Sequence, residues 1–553
     1  MKTRKHILWA LGIGLIFTAC KDAPKAESET KDEEENITAP VSYNLSISLS
    51  NADSANYTNA PELQSFAHAV SGDQWLLMCG RTNSASDGYD GGLHNMGPSS
   101  NYSSKSFPPA SFNTSIYLYD ASNNSLSSLA FADFNAALTK SAGSNPDATL
   151  TTYFNDVVNH LNQLRCSNPL ATQVGENLYI VGGYGTNPDS TQYGASYQTF
   201  NTVTQIHVPT MIKVIKGQSV TATEWESFYR MGSADQLQST GGELHAIDGT
   251  FYLCGGHNYG KGALKGQKYV DAVYPFTVSN ASGNMASLDI TVSDAISDMP
   301  ADKIKTHEAD LESIFRRRDG PMVPILAKNS AGAIVQGVAF YAGVFKPTPQ
   351  GQKGLEAWND AIYVTPDLAQ TGTTVASYKM DADYNQQNYN VYSCPDFGAV
   401  HSNESGDVLL STFMPGGIGN GDAEGKLSPF SNTYVEAVLN TSSMTSTPNI
   451  VKESMYPDHT NFLGAEAAFM PANDASIKYY SSSIGTTEFV DVAATFGPTG
   501  GSKVIGYFYG GIEAEIASPG SGDRTGYGAG LSKATNQVWA VTLTATPYAY
   551  EDK

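Results

Sequence analysis

The chain has 553 residues, with 32 lysines and arginines against 54 acidic residues and a formal net charge of −22. So acidic a surface argues against nucleic acid as a partner and against direct adhesion to anionic lipid, since both are held by basic patches. The 52 glycines and 31 tyrosines suit a turn-rich β protein, whether a β-sandwich, a string of small β-domains or a repeat array.

At the N-terminus Met1–His6 is basic and Ile7–Ala19 is an apolar stretch of 13 residues, too short for a comfortable membrane span. It ends in FTAC, with the small Ala19 before Cys20. This resembles a bacterial lipoprotein signal, which implies removal of residues 1–19 and acylation, palmitate included, of the Cys20 thiol. The alternative is an ordinary secretory signal with an incidental cysteine. Loss of Lys2, Arg4 and Lys5 would leave three positive charges fewer, hence −25. Acyl chains bury CH₂ groups at roughly 0.8 kcal/mol each, so they hold a protein to a membrane without a spanning helix. Residues 20–40 follow as a charged, aperiodic segment rich in Lys, Asp and Glu, expected to be a disordered acidic tether. An acidic run directly after such a cysteine resembles the surface-export signals of Bacteroidota-type lipoproteins, which implies an outer-membrane protein facing the cell exterior. A solvated linker facing the periplasm is the alternative. Asp53-Ser54-Ala55 matches a short O-glycosylation pattern of the same bacterial group, a weak signal at three residues.

Residues 41–553 read as one β array. It opens with VSYNLSIS from Val41, expected to pair with Val538–Leu543 and complete the last sheet. An apolar strand ending in glycine then recurs six times: WLLMCGRTN from Trp75, NLYIVGGYG from Asn177, TFYLCGGHN from Thr250, VAFYAGVF from Val338, LLSTFMPGGIG from Leu409 and IGYFYGGIE from Ile505. Each is followed by a second strand-like run: NTSIYLYD from Asn113, NTVTQIHV from Asn201, YVDAVYPF from Tyr269, WNDAIYVT from Trp358, NTYVEAVL from Asn432 and NQVWAVTL from Asn536. Lead-ins such as GELHAIDGTFYLCGG read as strand, tight turn, strand. The unit is therefore a sheet of about four strands, repeated six times. Arranged radially, such sheets bury their faces against one another as a β-propeller.

The units resemble kelch repeats, in which a hydrophobic strand, a Gly-Gly doublet and an aromatic position precede a later aromatic strand. Galactose-oxidase-type and sialic-acid-mutarotase-type propellers are similar in layout. The resemblance covers Gln64 to Thr544 and implies an all-β fold, a six-bladed kelch-like β-propeller with short helical and loop insertions. The chain departs from the pattern at Cys79-Gly80 and Ala342-Gly343, and the late kelch tryptophan is clear only at Trp539.

Among the insertions, Leu150, Tyr153, Val157, His160 and Leu161 fall at helical spacing behind a cap at Asp147 or Thr149. TATEWESFYR from Thr221 and HEADLESIFRRRDG from His307 predict further short helices. Residues 84–111 and 184–200 are polar loops after the glycine strand, expected to carry recognition.

Arg316-Arg317-Arg318-Asp319 is the most charged constellation, at the entry to the fourth unit. Arg317 and Arg318 are expected either to clamp a carboxylate or sulfate, or to neutralise acids and bind loop carbonyls. Asn168, Gln238, Asp396 and Asn461 are the expected equivalents in other units, ringing a channel mouth with Asp319. Arg81, His94 and His257 follow the glycine positions and are expected on the same side. Asp319, Asp396 and Glu466 are hydrolase candidates by location alone. No G-x-S-x-G, HExxH or P-loop occurs, MPGGIGNG lacks the lysine and helix of a phosphate loop, and no galactose-oxidase-type copper set is recognisable. No cofactor or metal is therefore expected. Cys79 and Cys254, read as one register in non-adjacent units, and Cys166 and Cys394, each preceding a first strand, are expected far apart, as free, mostly buried thiols rather than disulfides. Two functions follow. The first is a non-catalytic platform binding an outer-membrane protein partner or a glycan, as a subunit of an import, secretion or assembly complex. The second is a surface carbohydrate-binding or carbohydrate-active protein, a lyase, epimerase or hydrolase. A broad apolar loop patch would favour the platform, and a deep pocket of mixed charge the second.

Overall fold

A computed structural model describes residues 42–51, 57–82, 111–143, 145–186, 197–259, 267–300, 304, 313–329, 331–346, 356–365, 377–419, 430–457, 459–517 and 532–548. The signal segment, Cys20, the acidic tether, the Asp53 motif and His94 lie outside them. The fold is all-β with short helices, and its six principal sheets each contain a four-stranded antiparallel meander. The first sheet comprises Gln64–Ser71, Gln74–Arg81, Ser115–Asp120 and Ser125–Ala130. The second comprises Leu170–Val174, Asn177–Val181, Thr202–His207 and Tyr229–Ser233. The third comprises Glu243–Ile247, Thr250–Cys254, Tyr274–Ser279 and Asp289–Val292. The fourth is Met322–Lys328, Ile334–Phe340, Ala361–Val364 and Tyr378–Asp381. The fifth is Phe397–Ser402, Val408–Pro415, Tyr434–Asn440 and Thr445–Val451. The sixth is Ala468–Pro471, Gly501–Tyr509, Val538–Pro547 and, from the other end of the chain, Tyr43–Asn51.

The last strand is the one expected. Tyr43 lies opposite Pro547 and Asn51 opposite Trp539 in antiparallel register. Its alternation explains the placement, because Tyr43, Ile47 and Leu49 are buried while the intervening serines face out. The second strand of each sheet is a run of apolar residues because both of its faces are covered. In the turn before Thr250, Asp248 and Gly249 both have positive φ, 48° and 77°, the geometry of a type I′ hairpin.

Five of the six doublets share one left-handed conformation, and Ala342-Gly343 departs from it. Both residues have positive φ in every copy, including Cys79 (58°) with Gly80 (77°) and Ala342 (155°) with Gly343 (118°). The carbonyl of the second residue accepts the N–H of Asn113, Phe200, Val270, Trp358, Ser431 or Thr535, at 2.8 to 3.1 Å, and so aims the chain into the third strand. Space is short as well, since a Cβ on Gly182 would fall 2.0 Å from the Ser239 carbonyl oxygen. The doublets also reach forward. Gly183 donates to Ser239 O (2.9 Å), Gly256 to Arg317 O (2.8 Å) and Gly511 to Leu63 O (2.8 Å). The last of these ties the sixth sheet to the lead-in of the first.

The core lies between sheets. Successive pairs share the clusters containing Leu76 with Leu178, Val181 with Phe251, Tyr252 with Phe340, Tyr363 with Leu410 and Phe413 with Phe508. A further cluster joins Met470 and Tyr509 of the sixth sheet to Trp75 and Tyr119 of the first. There Trp75 lies 5.4 Å from Tyr119 and 5.6 Å from Tyr509, centroid to centroid.

The insertions fill the flanks. Asp147 caps the Ala148–His160 helix by accepting the Leu150 N–H (2.8 Å), and Tyr153, Phe154 and Val157 are buried against the first two sheets. Thr221 and Glu224 form a capping box on the Ala222–Ser227 helix. Most of the helix expected near His307 lies outside the described residues, and Ser313–Arg318 is not helical. Between the first two strands of the sixth sheet, a hairpin of Tyr479–Ser482 and Gly485–Asp491 leaves to join the fifth, pairing Ala399 with Val490 and Val400 with Asp491 in parallel.

Candidate functional site

The first strand of each sheet is entered through a left-handed residue: Ser65 (φ 54°), Asn168 (49°), Gly241 (65°), Asp319 (48°), Ser393 (47°) and Glu466 (59°). A side chain in that conformation costs of order 1 kcal/mol or more. Each is held by its neighbour's backbone. Asn168 N–H donates to Ser65 O (3.1 Å), Gly241 to Asn168 (3.0 Å), Asp319 to Gly241 (2.7 Å), Ser393 to Asp319, and Glu466 to Ser393 (2.8 Å). These bonds bring the six entries together in chain order.

Behind the entries lies a cavity of about 540 Å³, walled by the first strands and by the inserted hairpin. Five carboxyl groups line it: Glu243, Asp319, Asp396, Glu466 and Glu488. His68, His245, Phe66, Phe397, Phe469, Tyr479 and Phe489 complete the wall. Period-two geometry puts Glu243 and His245 on one face of the third sheet's first strand, and Phe66, His68 and Val70 on one face of the first sheet's. The hairpin contributes Thr487 and Glu488. Glu243 and Glu488 are both exposed to water at the cavity wall, so the rise that the surrounding protein gives their carboxyls is moderated by that water.

Burial dominates the electrostatics. It raises Glu243 well above the ordinary carboxyl range, and the charges of Asp396, Glu466 and Asp319 push the same way. Burial and Glu488 lift Asp396 to about 7, and burial alone lifts Glu488 to about 7. Glu466 is raised by burial against hydrogen bonds from Ser65, Ser393 and Asn168 (Nδ2 to Oε2, 2.9 Å) and the charge of Arg81. Asp319 is raised by burial and Glu466, but its Oδ2 lies 2.8 Å from Arg318 Nε. That contact argues that Asp319 is the pair's anion, with its rise held in check. Burial lowers His68 and His245 to about 4, leaving neutral imidazoles, and His245 Nε2 lies 2.8 Å from Met322 O. Thr412 Oγ1, in the wall, is buried without a hydrogen-bond partner. Carboxyls poised between protonation states beside aromatic faces are suited to exchanging protons with, and stacking against, a hydroxylated ligand.

The structure sorts the expected site residues. Asp319, Asp396 and Asn168 reach the cavity. Arg318, buried beside Asp319, has Nη1 3.2 Å from His257 Nε2, and His257 meets Tyr259 edge-on at 5.1 Å. Arg81 is buried, donates to Ser111 Oγ (3.2 Å) and is lowered to about 9 by burial, with Glu466 opposing. Arg317 is not a ligand clamp. It is wholly buried and donates to the carbonyls of Ile314 (2.9 Å), Ala342 (3.0 Å) and Asp360 (2.9 Å) and to the Asp360 carboxylate. Asn461 lies off the cavity, donating to Glu513 Oε1 (2.7 Å), and Gln238 donates to Thr199 O (2.8 Å). The true equivalents of Asp319 are Gly241, Ser393 and Glu466, because register follows the left-handed residue rather than the nearest polar one. Glu243 and Glu488 were missed. Their signal was the alternation Glu243–His245 and a hairpin whose partner strand is remote in sequence.

Among the described residues no group of three or more His, Cys, Asp or Glu could hold a metal ion, and no helix is long and apolar enough to cross a membrane. No protein-family model matches the chain. No curated protein matches it either. Among solved structures the chain is similar to one described as the structure of YjhT, at 11% identity over 90% of this chain and 98% of that one, with a TM-score of 0.39.

Proposed function

We propose that the protein is a six-bladed, kelch-like β-propeller, lipid-anchored through Cys20 to the outer membrane and facing outward, whose axial cavity binds a polyhydroxylated ligand of the glycan class. The observation that carries the ligand reading is the cavity of about 540 Å³ in which five carboxyls meet aromatic side chains. The propeller reading is supported by the six sheets in chain order, by the core cluster shared between the sixth and first sheets, and by the N-terminal strand in the last sheet. The anchor rests on the sequence from Met1 to Cys20.

This puts the cavity ahead of the platform. The large hydrophobics exposed among the described residues are Leu126, Val174, Met380, Val504, Ile516 and Tyr548, and the first four lie on four different sheets. Such scatter is ordinary protein surface. A lyase, epimerase or hydrolase needs one group to give a proton and another to take one. Asp396 and Glu488 are suited to that exchange, with Phe397 and Phe469 to pack on a sugar face.

The test is glycan-array screening followed by calorimetry on the full chain in mild detergent. A bound glycan whose affinity falls at least tenfold in Glu243→Gln and Asp396→Asn supports the cavity. Absence of any glycan ligand, with stoichiometric co-purification of an outer-membrane barrel from native membranes, would return the platform to first place.

A further inference from the structure

We infer that Cys79 and Cys166 form a disulfide that clasps the first sheet to the second. The argument begins with the repeat. At each junction the first doublet residue of one sheet lies against the residue two before the left-handed entry of the next. A Cβ on Gly182 would strike Ser239 O at 2.0 Å, on Gly255 Arg317 O at 2.8 Å, on Gly416 Gly464 Cα at 3.1 Å and on Gly510 Leu63 O at 2.9 Å. Ala342 shares a cluster with Val391 at the equivalent junction. At the remaining junction these two positions are Cys79 and Cys166.

Both are fully buried in the same cluster, and burial together with the neighbouring Cys166 thiol raises the Cys79 thiol well above its ordinary value. The four described cysteines are free thiols, as expected from the sequence, and it is this one pair that oxidises. Cys79 aligns with Gly255, not with Cys254, because Cys79 is itself the left-handed first member of its doublet. Four sister positions hold glycine, which adopts that backbone freely. A side chain there is strained, so its retention calls for something the side chain does. Cys254 and Cys394, the other two cysteines among the described residues, stand at other positions of the unit.

The chemistry balances simply. Two thiols lose two protons and two electrons and one S–S bond forms. An oxidant of the disulfide class, a dithiol–disulfide oxidase or a small-molecule disulfide, takes up both and becomes two thiols. The bond closes a long loop in the unfolded chain, where cross-linking has its largest effect. It forms as the two sheets come together, before the site is sealed.

The test traps thiols by acid quenching and alkylation in the envelope fraction of cells making the full chain, then maps peptides without reduction. The expected result is a linked Cys79–Cys166 peptide pair that disappears on reduction and in Cys166→Ser, with Cys254 and Cys394 alkylated. Cys79→Gly restores the sister residue, so it folds without the bond, and its melting temperature is expected a few degrees below that of the oxidised parent. Alkylation of all four thiols without reductant, together with an unchanged melting temperature in Cys79→Gly, would overturn the inference.

Discussion

Arg317 has no exposed side-chain surface; its guanidinium is taken up by three carbonyls and one carboxylate and lies 4.5 Å above the Trp358 ring. Arg317→Ala strands the Asp360 carboxylate and those carbonyls, so it should cost about 3–5 kcal/mol of stability. Denaturant titration should show the loss, and ligand affinity per folded molecule should stay unchanged. The run of arginines was legible, and so was the possibility that it binds loop carbonyls. Which arginine does which was not, because one residue of register separates the wholly buried Arg317 from Arg318, which pairs with Asp319. Asp396 and Glu488 carry a different prediction. Both have folded values of about 7, above those of an unfolded carboxyl. Between the two values the native state binds more protons than the unfolded one, so stability falls as pH rises through that window. The ligand-free protein should melt at a higher temperature at pH 5.5 than at pH 8. Asp396→Asn with Glu488→Gln should reduce the difference without abolishing it, because Glu243 and Glu466 are raised as well; a profile as steep as the parent's would place the titrating groups elsewhere.

At the scale of elements, the strand Tyr43–Asn51 and the hairpin Tyr479–Asp491 are contrasting additions. The first covers the Val538–Pro547 strand and contributes Tyr43, Ile47 and Leu49 to the cluster between the fifth and sixth sheets. Deleting residues 42–51 bares an apolar edge, and the truncated chain should aggregate on refolding, visible by light scattering. The hairpin is appended to a sheet that already has its four strands. Replacing residues 480–489 with a short glycine turn should lower the melting temperature modestly and abolish ligand binding, since it removes Glu488 and Phe489 from the cavity. Retained affinity in a folded variant would show that the hairpin wall is not used. The edge strand was legible from its period-two pattern and the matching run at Val538. The hairpin was not, because its pairing to Ala399 joins residues about ninety positions apart through one short parallel contact.

Across the described residues the six largest core clusters are each shared by two of the principal sheets, so no such sheet can open without uncovering two of them. Unfolding should appear as one calorimetric transition, and two well-separated transitions would contradict that sharing. The repeat itself was readable because the doublet is dictated by backbone geometry, which leaves its mark as glycine. The cavity was only partly readable, since a polar residue facing an internal cavity and one facing bulk water obey the same alternation. The pairing of Asn51 with Trp539 has a further consequence, one of timing. A ribosome makes Tyr43–Asn51 long before Val538–Pro547, and Ile47 and Leu49 meet their covering partners only once that later strand has emerged. Contacts of such long sequence separation form slowly. The growing polypeptide therefore holds its earliest described strand without a partner through most of its length, and the ten-residue strand Val538–Pro547 is the piece that seats it.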